Sequence, residues 1–279
     1  MTHSRRAIRA LLDGIGASPR RGLGQNFVAD ANTVRRIARL AGVGIGDRVV
    51  EIGAGLGSLT LALAETGALV TAVEVDPRIA GALRGVLSES AVAAAVGANT
   101  NVTVVEADAM TLDWPAVLAD GDHWTLVANL PYNVATPLVC DVLDTVPQIE
   151  RMLVMVQREV ADRFVAAPGS KQYGAVSVKI AYWASARLVG VVPPSVFVPR
   201  PNVESALVEI TRRRPPATDP TELFSLVRTA FGQRRKMLRR SLAERVSPEQ
   251  FAAAAISPEA RPEQLDVDAW CRLTEVVTG

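Results

Sequence analysis

The sequence has very little histidine and cysteine. Its 279 residues include two of each. His3 lies near the amino terminus and His123 precedes a predicted strand, so we expect neither a histidine-based metal site nor a histidine-dependent catalytic triad. Cys140 and Cys271 provide no disulfide framework and suit a reducing compartment, which favours a cytoplasmic protein.

Long apolar runs are also lacking. No stretch reaches the roughly 18 apolar residues of a membrane span. Asp13 and Gly14 interrupt the amino-terminal region before the apolar core of a signal peptide can form. Hydrophobic residues still make up 49% and charged residues 21% of the chain, as in folded globular proteins. We therefore expect neither a membrane-spanning protein nor a disordered chain.

Net charge is small as well, because 30 basic residues oppose 29 acidic ones. The total of +1 argues at first against a nucleic-acid partner. The charge is segregated, however: residues 1–48 carry +6, 49–149 carry −10, 150–214 carry +5 and 215–279 carry 0. Residues 228–245 alone carry +6. Because local potential governs the encounter with phosphate, an RNA substrate is compatible with this sequence.

Strand-like and helix-like segments alternate over most of the chain. Buried strands are predicted at 48–52, 69–75, 102–105, 125–128 and 152–156. This rhythm predicts an α/β fold with a Rossmann-like, mostly parallel, doubly wound sheet. A Pro-rich linker follows residue 212, and the remaining sequence is helix-like, with one helix expected across 228–245. We therefore expect a catalytic domain at 1–212 and a small all-α domain at 216–279.

A glycine-rich turn, Gly53-Ala-Gly-Leu-Gly57, follows the first central strand and opens a helix. Glycines there let backbone N–H groups approach a ligand at a helix amino terminus. The spacing departs from the G-x-G-x-x-G of dinucleotide sites, since Ser58 occupies the third glycine position. Taken alone, the segment also fits a structural turn without a ligand.

Acidic residues end the next two strands. A carboxylate at Glu74 or Asp76 can accept hydrogen bonds from both ribose hydroxyls of an adenosine cofactor. The alternative is a cap for the helix that starts at Pro77, which suits Asp76 better than Glu74. Asp108 ends the third strand and can bind an adenine amine. These acids predict an adenosine pocket but do not distinguish NAD from S-adenosylmethionine.

The segment Asn129-Leu-Pro-Tyr132 follows the fourth strand at the same edge of the predicted sheet. The Asn129 amide oxygen and the Leu130 carbonyl can accept hydrogen bonds from adenine N6 and turn its lone pair toward a methyl donor. Pro131 restricts Leu130, and Tyr132 can stack on an extruded base. An ordinary turn is the alternative, but with the upstream glycines methyl transfer is the preferred interpretation.

The motifs, in this order, resemble those of the ribosomal RNA adenine dimethyltransferases (the KsgA family). The matching segments cover most of the chain: 24–27, 51–55, 74–76, 108–110, 129–132, 157–161, 173–174, 192–199, 203–206 and 231–236. The sequence departs from the family pattern at Ala54, where proline is usual, at Val28, where leucine is usual, and at Arg240, where asparagine is usual.

The resemblance implies a class I S-adenosylmethionine-dependent methyltransferase that dimethylates N6 of two adjacent adenosines. They lie in the 3′-terminal hairpin loop of 16S rRNA, in the small ribosomal subunit or its precursor. The resemblance also links the reaction to ribosome biogenesis and kasugamycin sensitivity. We expect a monomer without a metal.

The resemblance also assigns roles by motif. The cofactor contacts would be Asn26, Val28, Gly53, Gly55, Glu74, Asp108 and Asn129. The catalytic set would be Asn129, Leu130, Pro131, Tyr132 and Phe197. Tyr132 and Phe197 would enclose the target base, because the prolines around Phe197 favour a rigid exposed loop over a core position. The expected RNA contacts are Arg20, Arg21, Arg200, Arg234, Arg235 and Lys236.

The positive segments suggest a shared RNA-binding surface. We expect the amino-terminal arm, residues 187–214 and the 228–245 helix to surround the Asn129 pocket with positive potential. The alternative is that the arginines of 228–245 form a solvated helix face.

Three other functions remain open. A 23S rRNA adenine methyltransferase of the antibiotic-resistance (Erm) type would share the catalytic motifs, but segments 192–197 and 231–236 favour the small-subunit enzyme. A non-catalytic assembly factor on the same fold would not need an intact Gly53, Asn129 and Tyr132. An NAD-dependent oxidoreductase is disfavoured by the glycine spacing and by the lack of a placed histidine.

Overall fold

A computed structural model describes residues 3–20, 24–88 and 101–279. Arg21 and the Ala-rich stretch that follows Ser88 lie outside these ranges. The chain forms two compact units, the first from residues 1–161 and 187–211, the second from residues 162–186 and 212–279. The second unit therefore includes a segment of the predicted domain 1–212.

The main sheet has seven strands within the described residues. They are β2 (Arg48–Ile52), β3 (Leu69–Glu74), β4 (Val102–Glu106), β5 (Trp124–Asn129), β6 (Ile149–Gln157), β7 (Ala184–Val192) and β9 (Ser205–Arg212). Their spatial order is β4-β3-β2-β5-β6-β9-β7. Strands β2 to β6 pair in parallel and β9 runs antiparallel to β6. The predicted mostly parallel α/β sheet is confirmed.

The central strands are apolar because both faces of the sheet are covered. In β2, Val49 and Val50 are completely buried. The helices that follow the strands are α3 (Ser58–Ala64), α4 (Pro77–Ser88), α5 (Trp114–Val117), α6 (Ala135–Thr145) and α7 (Arg158–Phe164). The chain order reverses between β2 and β5, which places a ligand crevice at the carboxyl ends of these strands.

The amino-terminal elements are α1 (Arg5–Gly14), β1 (Phe27–Val28) and α2 (Ala31–Ala41). The Asp30 carboxylate accepts a hydrogen bond from the Thr33 amide at 2.7 Å, and Gly42 ends α2 with φ 61°, as the sequence predicts. A two-stranded antiparallel sheet joins β1 to β8 (Phe197–Val198). The sequence does not predict this small sheet, since two residues are too few for a periodic pattern.

Apart from the start of β7 and the last residue of β9, the regular structure of the second unit is helical. Its helices are α8 (Ala175–Trp183), α9 (Pro220–Gly232), α10 (Leu238–Ser241), α11 (Pro248–Ala253) and α12 (Val267–Thr278). They surround a core that contains Tyr173, Tyr182, Phe251 and Trp270. No helix among the described residues is both long and apolar enough to cross a membrane.

The prediction of a single helix across 228–245 is wrong. Helix α9 ends at Gly232, and the Lys236 amide donates to the Gln233 carbonyl at 2.8 Å in a turn before α10. The chain turns because Leu238 and Leu242 both enter the core of the second unit, where each is 0% exposed. Burial of these two side chains outweighs the helix propensity of the charged residues before them.

Candidate active site

The candidate active site is a cavity at the carboxyl ends of the central strands. Four segments contribute most of its lining: the loop 24–28, the glycine turn 53–59, the end of β3 at 74–75, and Asn129 with Pro131 after β5. The structure thus brings together the predicted cofactor residues Asn26, Val28, Gly53, Gly55, Glu74 and Asn129. Asp108 is exposed in the turn after β4 and is not part of this lining.

The glycine turn takes its shape from left-handed backbone. Gly53, Gly55 and Gly57 have φ values of 72°, 59° and 90°, a region that side chains disfavour. A Cβ atom at Gly55 would lie 3.1 Å from the ring of Phe27. The turn therefore needs glycine both for its backbone and for close approach of the amino-terminal loop.

Glu74 supports the glycine turn from the end of β3. Its Oε2 atom accepts a hydrogen bond from the Gly55 amide at 2.9 Å, and its Oε1 atom accepts one from the Asp76 amide at 3.0 Å. Burial of the side chain raises its pKa above the usual value. The carboxylate also lines the cavity, so it can meet a ligand there.

Asp76 acts as a helix cap in the structure. Its Oδ1 atom accepts a hydrogen bond from the Arg78 amide at 3.0 Å, and its carbonyl accepts one from the Ala80 amide at 2.9 Å. Arg20 Nη1 lies 3.5 Å from Asp76 Oδ2. The expected RNA contact Arg20 is therefore already paired with an acid at the edge of the site.

Glu51 is a candidate binding residue that the sequence interpretation did not assign. It lines the cavity, is 2% exposed, and its Oε2 atom has no hydrogen-bond partner among the described residues. Burial, assisted by the nearby charge of Glu74, raises its pKa to about 8. A positively charged ligand would favour the ionised form. The available signal was a single acid in the otherwise apolar run Val-Val-Glu-Ile.

The amino-terminal loop orients the Asn129 amide. Asn129 Nδ2 donates to the Asn26 carbonyl at 2.9 Å, and Asn26 Nδ2 donates to the Gly24 carbonyl at 3.1 Å. Because the amide nitrogen is engaged in this way, the Asn129 Oδ1 atom is left to accept a hydrogen bond from a ligand.

The next three residues hold the turn after β5 in place. The Leu130 amide donates to the Met155 carbonyl at 3.0 Å, and the Pro131 carbonyl accepts from the first amides of α6. The Tyr132 hydroxyl lies 3.1 Å from Ser205 Oγ, and burial raises the pKa of Tyr132. No backbone amide among the described residues outside the helices and strands donates to the Leu130 carbonyl, and this oxygen is a second acceptor that can bind a ligand.

Phe197 does not lie in an exposed loop, and that expectation is wrong. Its side chain is 0% exposed and packs in the main core of the first unit, and its backbone pairs with Val28. The flanking prolines bound a short strand that β1 covers, and the apolar ring fills the space behind it. Stacking on a base would require this ring to leave its packing.

Four of the six predicted RNA-binding residues, those after Arg21, fall into two groups. Arg200, Arg235 and Lys236 are exposed. Arg234 Nη2 instead donates to the Lys171 carbonyl at 2.8 Å, and its Nε lies 3.5 Å from Glu263 Oε2. Arg234 thus serves contacts within the second unit.

The strand order and the glycine turn after β2 define a class I methyltransferase fold. The chain aligns with a dimethyladenosine transferase from Plasmodium falciparum (TM-score 0.75, 22% identity, 88% of this chain and 95% of that one). It also aligns with the 23S rRNA methyltransferase ErmE (TM-score 0.69, 26% identity, 91% of this chain and all of that one).

Sequence comparison defines the family more narrowly. The model of the family Ribosomal RNA adenine dimethylase matches residues 16–278. Ribosomal RNA small subunit methyltransferase A of Cutibacterium acnes is 49% identical over 97% of this chain and 93% of its own length. The Streptomyces coelicolor protein of the same name is 48% identical over 96% of this chain and 94% of its own. The chain belongs to the ribosomal RNA adenine dimethylase family, which confirms the resemblance drawn from the motifs.

Within the described ranges, no cluster of three or more histidine, cysteine, aspartate or glutamate side chains could hold a metal ion.

Proposed function

We propose that this chain dimethylates N6 of two adjacent adenosines in the 3′-terminal hairpin loop of 16S rRNA, with S-adenosylmethionine as the methyl donor. The observation that carries the proposal is the Asn129 amide, which Asn26 orients at the edge of the cavity. The names of the relatives support the small-subunit substrate over the 23S alternative.

The cavity has the polar groups that S-adenosylmethionine needs. The buried Glu51 carboxylate, with one unpartnered oxygen, fits a ligand that carries positive charge. The glycine turn allows close approach of backbone to the methionine part, and Glu74 lies at the strand end where ribose hydroxyls bind. Asp108, outside the cavity lining, remains the candidate for the adenine amine. When bound, S-adenosylmethionine supplies an electrophilic methyl group on its sulfonium.

The residues after β5 would activate the target amine. The N6 lone pair of adenine is delocalised into the ring, which makes the amine a poor nucleophile. Asn129 Oδ1 and the Leu130 carbonyl can each accept one N6 proton in a hydrogen bond, hold the nitrogen toward tetrahedral geometry, and direct its lone pair at the methyl group. Tyr132, anchored at Ser205, would stack on the extruded base.

The two units would have different roles in the reaction. The first unit binds the cofactor and the target adenosine, and the second contacts RNA through exposed cations such as Arg235 and Lys236. We expect a monomer that meets its precursor or mature small subunit in the bacterial cytoplasm.

The test is methylation of small subunits from a strain that lacks the modification, followed by nucleoside mass spectrometry. We expect N6,N6-dimethyladenosine at two adjacent positions of 16S rRNA. The Asn129→Ala variant should form it at least about 100-fold more slowly. Asn32→Ala, which removes the same kind of side chain from an exposed position of α2, should match the wild type. Only monomethyladenosine, or label in the large subunit, would contradict the proposal.

A further inference from the structure

Helix α1 packs on the elements that form the candidate site. The His3 Nε2 atom lies 2.8 Å from the Leu56 carbonyl in the glycine turn. Ile8 and Leu12 are buried in a cluster with Phe27 and Leu56. The helix is therefore anchored both to the glycine turn and to the loop that contributes Asn26.

Arg5 connects the start of α1 to the segment that contains Phe197. Its Nη1 atom donates to the Phe197 carbonyl at 3.2 Å, and its Nη2 atom donates to the Ser195 carbonyl. A planar guanidinium that binds two carbonyls of one short segment restricts the orientation of that segment. These acceptors are neutral, so the contact positions backbone without pairing the Arg5 charge with a carboxylate.

The segment that Arg5 contacts also pairs with β1, which follows directly on Asn26, the hydrogen-bond partner of Asn129. The Ala29 amide donates to the Val196 carbonyl at 2.8 Å, and Val28 pairs with Phe197. One residue before β1, the Asn26 carbonyl accepts the hydrogen bond from Asn129 Nδ2. A series of hydrogen bonds thus leads from the Arg5 side chain through β8 and β1 to the Asn129 amide.

We infer that Arg5 is a positioning residue for methyl transfer, which holds residues 195–198 against β1 and thereby keeps the Asn129 amide in its productive orientation. The inference rests on the proposed function. Loss of the contact should lower turnover, because a misplacement far from the reacting atoms is costly to rate. Its effect on the affinity for RNA should be no larger than the effect of removing any other positive charge from α1.

The experiment compares Arg5→Gln with Arg6→Gln and Arg9→Gln. All three remove one charge from exposed positions of α1, but only Arg5 bonds to the 195–197 carbonyls. With methyl-free small subunits, we expect kcat to fall about tenfold in Arg5→Gln alone. KM for the subunit and its salt dependence should change equally in all three. Arg5→Lys keeps the positive charge but has fewer hydrogen-bond donors than arginine, so its kcat should lie between those of Arg5→Gln and the wild type.

A second readout does not depend on activity. Hydrogen exchange of the backbone amides of residues 195–198 in the unliganded protein should be faster in Arg5→Gln than in Arg6→Gln, at similar melting temperature. If Arg5→Gln does not fold, the comparison is made with Arg5→Lys. Equal kcat in the Arg5 and Arg6 variants, or unchanged exchange, would overturn the inference. Failure of the proposed function has a different signature, because the wild type itself would then give no dimethyladenosine.

Discussion

The cofactor side and the acceptor side of the candidate site are assembled over different distances along the chain. On the cofactor side, Glu74 bonds to Gly55, 19 residues away. On the acceptor side, Asn129 bonds to Asn26 across 103 residues, Tyr132 to Ser205 across 73, and Arg5 to Phe197 across 192. The bond that joins the glycine turn to the end of β3 can therefore form within one β-α-β segment. The bonds that place Asn129, Tyr132 and residues 195–197 need most of the first unit to be folded.

This difference predicts two classes of mutational effect. Substitutions on the acceptor side should lower turnover while cofactor binding is kept. Substitutions on the cofactor side should change the affinity for S-adenosylmethionine. The following five tests run from the largest expected effect to the smallest.

The Asn129→Ala variant tests the acceptor side most severely. We expect methyl transfer to fall about 100- to 1,000-fold, since one preorganised hydrogen-bonding group is lost at the reacting atom. The affinity for S-adenosylmethionine, measured by calorimetry, should change far less than turnover. An equal loss of affinity and turnover would show that Asn129 acts mainly as the cofactor contact that the motif resemblance also implies.

Glu51→Gln tests the cofactor side through the pH dependence of the affinity for S-adenosylmethionine. The pKa of Glu51 in the free protein is about 8, and a cationic ligand prefers the ionised carboxylate. Between pH 6.5 and 8 the affinity of the wild type for S-adenosylmethionine should therefore rise, by up to about tenfold per pH unit, and then level off. Glu51→Gln should bind weakly at every pH, and the exposed control Glu244→Gln should follow the wild type.

The same pKa shift has a consequence for folding stability. Between the usual pKa of 4.5 and about 8, the folded state of the wild type holds a proton on Glu51 that the unfolded state has lost. The contribution of Glu51 to the free energy of unfolding therefore decreases as pH rises through this window. Glu51→Gln should lack that decrease, which denaturant titrations at pH 6 and pH 8 can measure. A similar slope in both proteins would contradict the assignment.

Tyr132→Phe makes a smaller change on the acceptor side. It removes the hydrogen bond to Ser205 and keeps the ring, so we expect turnover to fall about fivefold, the equivalent of about 1 kcal/mol. Tyr132→Ala, which also removes the stacking surface, should lose considerably more. If both variants lose the same amount, the hydroxyl rather than the ring is the important group.

Charge reversal in the second unit separates RNA contact from internal structure. Arg235→Glu should weaken binding of small subunits about threefold at moderate salt and flatten the salt dependence, with cofactor affinity unchanged. Arg234→Glu should instead lower the melting temperature, because Arg234 bonds to the Lys171 carbonyl and lies near Glu263. If Arg234→Glu were as stable as the wild type but bound RNA poorly, our distinction between these neighbours would be wrong.

Local chemistry explains which features were predictable from the sequence. Asp30 and Gly42 bound α2 as predicted, and the glycine turn follows β2 with the left-handed backbone that its residues allow. These features depend on side chains within a few positions of each other. The motif order likewise predicts the family, since the segments 51–55, 74–76, 108–110 and 129–132 each lie at or just after the end of a strand.

The features that the sequence did not predict correctly have a different origin. Phe197 looked exposed because of its prolines, but its partner β1 lies about 170 residues away in the chain. The helix across 228–245 was predicted from local residues, yet burial of Leu238 and Leu242 bends the chain. The sequence does not predict a role for Glu51, because the burial of its carboxyl group is a property of the folded sheet. Each error follows from a contact between distant segments.

The buried position of Phe197 bears on specificity. A ring that is 0% exposed offers no platform to adenosines that collide with the free enzyme. The half-buried Tyr132 ring is the aromatic surface after β5 that a base can still reach. Recognition of the base by stacking would thus depend on one aromatic side chain, and the remaining selectivity would have to come from contacts with the surrounding RNA.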